Sequence, residues 1–99
     1  MRLTEEQIAQ IRQTVCEEAG SQSRVWLFGS RVDDTARGGD VDLLVEQDTD
    51  IDQPVSLMAR LTVRISRAMG GRKVDIVLSA PNLREMPIHA SARREGIRL

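Results

Sequence analysis

Breaks of three kinds divide the sequence into segments that are each no longer than one helix or one strand. They are an acidic run at 46–50, the pair Pro81-Asn82, and glycine-containing breaks at Gly20-Ser21, Gly29-Ser30, Gly38-Gly39, Gly70-Gly71 and Gly96. Glycine and proline favour turns and helix ends, so an apolar pattern stops at such a break and a new one begins beyond it. With 99 residues divided in this way, we expect a single domain over 1–99 built around one modest core.

Three segments carry apolar residues at the spacing of an amphipathic helix. The predicted helices span 4–19, which begins with the capping-box pair Thr4 and Gln7; 54–69, which begins with Pro54; and 86–95. Four further side chains on these helices are interpreted as packing residues: Cys16, Met58 and Met69 in the core, and a half-exposed His89.

Three other segments are rich in β-branched and aromatic residues, which favours strands over 24–28, 41–45 and 73–78. The order α-β-β-α-β-α predicts an α/β (α+β) domain, with a small mixed sheet of three to four strands packed against helices. We expect a loop over 31–39 and a solvated acidic loop over 46–50. Ile97 and Leu99 are predicted to form a terminal apolar hook.

The composition argues against several classes of protein. Fourteen basic and fifteen acidic residues give a net charge of −1, and Trp26 and Phe28 are the only aromatic residues, so nucleic acid is not the expected partner. A single cysteine fits a reducing compartment. The sequence has no apolar run long enough for a membrane span and no apolar N-terminal signal, so the expected location is the cytoplasm.

Three aspartates occupy positions where a strand would carry apolar residues. Asp40 and Asp42 lie two residues apart and therefore project from the same face, and Asp75 lies in another strand that can pair beside them. Three converging carboxylates raise one another's pKa unless a cation lies between them. Magnesium prefers such oxygen ligands, so the pattern predicts the protein half of a two-metal centre for phosphoryl or nucleotidyl transfer.

A second motif, Gly29-Ser30-Arg31, follows the first predicted strand. A strand that ends in Gly-Ser allows a phosphate to approach the backbone, and the next turn offers N–H groups and a hydroxyl. Arg31 adds positive charge against a phosphate, or instead fixes the loop through Asp33 or Asp34.

Taken singly, each motif has a commoner structural interpretation. An Asp-x-Asp pair is often solvated surface, and Gly-Ser is usually a turn. Asp75 alone is compatible with an edge aspartate that pairs with Arg72 or with an arginine of another element. The joint occurrence of the motifs, in this order and at this spacing, is what favours a catalytic site.

The spacing of these motifs resembles the DNA polymerase β-like nucleotidyltransferases, and most closely their smallest branch, the minimal nucleotidyltransferases. The resemblance rests on Gly29-Ser30, then nine residues, then Asp40-Val41-Asp42, with Val74-Asp75-Ile76-Val77 about thirty residues further on. It covers the chain from about Arg24 to Leu78, and the end of the last helix is also similar.

The resemblance implies specific roles. Asp40, Asp42 and Asp75 would be the catalytic residues and would bind two Mg²⁺ ions, and Asp75 would also help to deprotonate the attacking hydroxyl. Gly29, Ser30 and Arg31 would hold a nucleoside triphosphate, with ATP as the expected donor. Family members of this size often act as the antitoxin of a HEPN-domain protein, in some cases by attaching AMP to a tyrosine of that toxin.

Two functions of different classes therefore stay open. The first is an enzyme that transfers a nucleoside monophosphate to a hydroxyl of a partner protein. The second is a binding module that neutralises its partner by complex formation, with weak or no catalysis. Either function is compatible with a homo- or hetero-oligomer.

Overall fold

The structure, a computed structural model, describes residues 3–29 and 40–99. Within these ranges, three helices and four strands follow one another: α1 (Glu5–Ala19), β1 (Arg24–Phe28), β2 (Val41–Glu46), α2 (Pro54–Ala68), β3 (Val74–Ser79), α3 (Pro87–Glu95) and β4 (Ile97–Arg98). This arrangement confirms the predicted α+β class, and each predicted helix and strand lies within two residues of its predicted bounds. The predicted loop at 31–39 lies outside the described residues.

The four strands form one mixed sheet in the order β3-β2-β1-β4. β1 and β2 are antiparallel, with Val25 opposite Val45, whereas β2 and β3 are parallel and are joined through α2. Parallel neighbours need a crossover connection, and α2 provides it. Instead of forming only an apolar hook, Ile97 begins the short β4, which pairs antiparallel with β1.

The sheet has two different faces because successive strand residues point to opposite sides. On one face Val41, Leu43 and Val45 of β2 pack with α1 and α2 in a single core. On the other face β2 presents Asp42, Leu44 and Glu46, and α3 contacts β1 there. The buried apolar residues of the main core are Leu3, Ile11, Val15, Val25, Leu27, Val41, Leu43, Val45, Ile51, Leu57, Leu61, Ile65, Met69, Val74, Ile76 and Leu78.

The helix ends follow the expected chemistry in part. The Thr4 hydroxyl accepts the N–H of Gln7, and the Gln7 side chain accepts the N–H of Thr4, which is the predicted capping box. Pro54 is the first residue of α2, but Gln53 caps that helix without a side-chain hydrogen bond. In the described part of the chain, no helix combines the length and the apolar character that crossing a membrane requires.

Three predictions about packing residues need correction. Cys16 is exposed, because it directly follows the buried Val15 on α1 and therefore lies off the face of the helix that packs in the core. Met69 is buried as predicted, whereas Met58 is 37 % exposed on the flank of α2. His89 is buried, not half-exposed: its Nδ1 accepts the N–H of Met86, and its Nε2 lies 2.9 Å from the carbonyl oxygen of Leu78.

Candidate functional site

Asp42 and Asp75 lie side by side on neighbouring strands. They are register partners in the parallel pairing of β2 with β3, so both side chains project from the same face of the sheet. Asp42 is half-buried and Asp75 is exposed. The structure therefore brings together two of the three predicted carboxylates, and no ion pair joins Asp75 to Arg72.

Asp40 and Lys73 lie at the same end of these strands. The N–H of Val41 donates to the carbonyl oxygen of Lys73 at 2.9 Å, which keeps the start of β2 beside the start of β3. The ammonium of Lys73 lies 3.7 Å from Oδ2 of Asp40. Lys73 was not singled out from the sequence, although its position two residues before Asp75 places it on the same strand face.

The electrostatics at Asp42 are those of crowded carboxylates. Burial raises the pKa of Asp42 above its usual value, and the negative charges of Asp75 and Asp40 raise it further. A hydrogen bond with Asp75 acts in the same direction, and Lys73 opposes these effects only in part. The ionised form of Asp42 is thus disfavoured, which is the condition that a bound cation relieves.

Gly29 closes the site beside Asp42 and leaves no room for a larger residue. Its φ is +74°, a left-handed conformation that favours glycine. A Cβ at this position would overlap Oδ2 of Asp42 and lie 3.2 Å from its Cγ. Glycine is therefore required here by the Asp42 carboxylate as well as by the backbone, a reason that the sequence alone did not reveal. Ser30 and Arg31, the other predicted phosphate-binding residues, lie outside the described part of the chain.

The donor set has the chemistry of a hard divalent cation site. Asp42 and Asp75 supply adjacent carboxylate oxygens, which are the ligands that Mg²⁺ and Ca²⁺ prefer. Within residues 3–29 and 40–99, however, no three Asp, Glu, His or Cys side chains are placed closely enough to hold a metal ion. The Asp42–Asp75 pair still fits such an ion by the chemistry of its oxygen atoms and by its position on the strands. Asp40, the third predicted ligand, lies nearby but is turned towards Lys73.

The opposite end of the same sheet face holds a cluster that the sequence did not predict. Glu46, expected in a solvated loop, is the last residue of β2 and is buried. Its carboxylate accepts hydrogen bonds from the guanidinium of Arg93 and, at 2.7 Å, from the indole of Trp26; Nε of Arg24 lies 3.5 Å away. One signal in the sequence could have indicated this position: continuing the period-two alternation of β2 by one residue places Glu46 on the same face as Asp42 and Leu44.

The family model of the nucleotidyltransferase domain matches residues 8–95. The match extends from α1 to the last residue of α3 and includes all three predicted carboxylates. The fold and the site thus define a nucleotidyl-transfer domain, and the chain belongs to the nucleotidyltransferase domain family. No curated protein matches the sequence.

Proposed function

We propose that this chain transfers a nucleoside monophosphate, AMP from ATP, to a hydroxyl group of a partner protein, with divalent metal as cofactor. The observation that carries the proposal is the pairing of Asp42 with Asp75 in adjacent strands, with Gly29 packed against Asp42. Family membership supports nucleotidyl transfer in general. The donor and the acceptor are inferred from the resemblance to minimal nucleotidyltransferases.

Each residue at this end of the sheet has a role in the proposal. Asp40, Asp42 and Asp75 would hold two Mg²⁺ ions, which would neutralise the triphosphate and the departing pyrophosphate. Gly29, Ser30 and Arg31 would bind the triphosphate. The acceptor oxygen forms a bond to the α-phosphorus, the bond from that phosphorus to the bridging oxygen breaks, and pyrophosphate leaves with the electron pair. The hydroxyl proton passes to the carboxylate of Asp75, which is exposed and therefore accessible to an acceptor.

The proposed acceptor is a HEPN-domain toxin in the cytoplasm, and the chain would act as its antitoxin. The support for this partner is the resemblance of the motif spacing to minimal nucleotidyltransferases. The catalytic face is also open at its aspartate end, since Asp75 is exposed and Asp42 is only half-buried. A protein acceptor could approach there.

The test is a transfer assay with two labels. Protein, MgCl₂ and a purified HEPN-domain candidate partner are incubated with ATP labelled at the α- or the γ-phosphate. We expect the α-label alone to appear on the partner, because pyrophosphate carries the γ-phosphate away. Asp42→Asn should reduce labelling by about 10³-fold or more, as expected when a charged group essential to the transition state is lost. Asp52→Asn, an exposed acid outside the site, is the matched control and should retain full activity.

A binding module remains the second candidate, and one observation favours it. Met86, Ile88 and Ile97, near the ends of α3, are each between 37 % and 46 % exposed. Such apolar side chains suit a protein contact. If Asp42→Asn still neutralises the partner fully, and no nucleotide yields labelling by protein that binds Mg²⁺, the binding function is correct and the transferase proposal fails.

A further inference from the structure

A surface cavity lies at the end of the sheet farthest from the aspartates. It has a volume of about 460 Å³ and is lined by residues of α1, the turn before β1, the start of β1 and the end of β4. This volume lies within the range of small-molecule sites, roughly 300–1,000 Å³. Arg24, at the cavity, and Phe28, the strand partner of Asp42, are at opposite ends of β1, about 13 Å apart.

The charged side chains that line this cavity are all arginines. They are Arg12, Arg24 and Arg98, and no aspartate or glutamate of the described ranges is among the lining residues. Arg24 is already paired, since its guanidinium donates to Asp48 at 3.0 Å. Arg12 and Arg98 are exposed and make no ion pair with any residue in the described ranges. In a chain whose net charge is −1, this concentration of unneutralised guanidinium groups favours an anion.

The other residues that line the cavity indicate what kind of chemical group carries the anion. Gln13, Ser21 and Ser23 add polar groups, while Ala9 and Leu99 provide an apolar surface in front of the almost fully buried Val15 and Val25. Arginine binds phosphate through two parallel N–H donors, and an apolar wall accommodates a ring or a short hydrocarbon. An inorganic anion would leave most of the 460 Å³ unfilled.

We propose that this cavity binds a phosphate monoester with a ring-sized body, held through Arg12 and Arg98. The site is separate from the aspartates and does not depend on the proposed function, because none of its lining residues belongs to the carboxylate cluster. A ligand here would contact α1, β1 and β4 together, and β4 pairs with β1 over Trp26 and Leu27.

Cys16 provides a direct readout, because it is exposed and lines the same cavity. The rate of its alkylation by iodoacetamide, an uncharged reagent, is measured with EDTA present and in an Asp42→Asn background, so that the carboxylate site does not contribute. We expect AMP and phenyl phosphate to slow alkylation by fivefold or more at saturation. Inorganic phosphate should protect at least tenfold more weakly, and adenosine, which lacks the anion, should not protect.

The arginine variants decide the assignment. Arg12→Gln/Arg98→Gln should raise the concentration of AMP needed for half-protection by at least tenfold, and Arg98→Gln alone by a smaller factor. Arg94→Gln, an exposed arginine of α3 outside the cavity, is the matched control and should leave protection unchanged. Unaltered thermal melting of the variants checks that they are folded, as expected for exposed side chains.

Three results would each overturn the proposal. The first is the absence of protection by 10 mM AMP or phenyl phosphate. The second is equal protection by adenosine, which would show that the anion is not recognised. The third is full protection in the folded double variant, which would place the ligand elsewhere. Loss of nucleotidyl transfer in Asp42→Asn bears on none of these measurements, so the two proposals fail separately.

Discussion

Asp42 and Glu46 lie on the same face of the same strand, four residues apart, in opposite electrostatic surroundings. Both carboxylates are partly removed from water, and burial alone would raise the pKa of each. Around Glu46, hydrogen bonds from Arg93 and Trp26 outweigh burial and lower the pKa. Around Asp42, burial and the negative charges of Asp75 and Asp40 act in the same direction, and the pKa rises.

The difference separates a structural carboxylate from a functional one. The charge of Glu46 is compensated by the chain's own residues, so this carboxylate joins β2 to α3 through Arg93 without any ligand. Within the described residues, Lys73 compensates the charge of Asp42 only in part, and a bound cation would complete the compensation. A carboxylate whose pKa is shifted by uncompensated neighbouring charges is typical of a functional site. A carboxylate paired with arginine is typical of a contact between secondary-structure elements.

The largest expected difference is in stability. Glu46→Gln removes a buried charge that Arg93, Arg24 and Trp26 contact, although Arg93 keeps its ion pair with Glu85, and should lower the free energy of unfolding by about 3 kcal/mol. Asp42→Asn, in EDTA, should leave it unchanged or raise it by up to about 1 kcal/mol, because the substitution removes repulsion. Urea denaturation at pH 7 measures both, with Asp52→Asn as the control. Equal destabilisation by the two substitutions would contradict the distinction between a functional carboxylate at Asp42 and a structural one at Glu46.

Divalent cations should stabilise the protein through the aspartate end of β2 and not through the Glu46 end. If metal binds at the aspartates, MgCl₂ or MnCl₂ at a hundred times the dissociation constant stabilises the folded protein by about 2.7 kcal/mol. The stabilisation should disappear in Asp42→Asn and persist in Glu46→Gln, relative to each variant's own stability in EDTA. Titration by differential scanning calorimetry provides the measurement. If the metal stabilised Asp42→Asn as much as the unsubstituted chain, metal binding at the aspartates would be contradicted.

Two glycines with nearly equal φ allow the effect of crowding at Asp42 to be separated from the effect of backbone conformation. Gly29 has φ +74° and Gly70 has φ +71°, but only at Gly29 would a Cβ overlap the Asp42 carboxylate. Gly70→Ala should cost about 1 kcal/mol from backbone strain alone. Gly29→Ala should cost about 1 kcal/mol more and weaken the metal stabilisation, because the side chain of Asp42 must move. Equal costs in urea denaturation and unchanged metal affinity would show that glycine is needed only for its conformation.

The sequence predicted the elements and the adjacency of Asp42 with Asp75, since period-two alternation and glycine breaks act locally. It did not predict the environment of Glu46. The residues that neutralise it come from β1 and α3, and such long-range contacts leave no periodic signal in the chain. The burial of His89 was missed for the same reason, because its Nε2 meets a carbonyl oxygen of β3 that is distant in sequence. β4 was too short to show any alternation.

The smallest expected effect is in the pH dependence of stability without metal. Because the folded pKa of Glu46 is lowered from 4.5, its contribution is complete above that value and is lost as the pH falls through the lower folded pKa. Because the folded pKa of Asp42 is raised from 3.8, its penalty is greatest at neutral pH and is relieved on acidification through the raised value. The stability advantage of Asp42→Asn should therefore shrink between pH 7 and pH 4.5, by less than about 1 kcal/mol, while the deficit of Glu46→Gln persists. Urea denaturation in EDTA across this range tests the signs. An Asp42→Asn advantage that grew on acidification would mean that Asp42, like Glu46, is already neutralised by the chain itself.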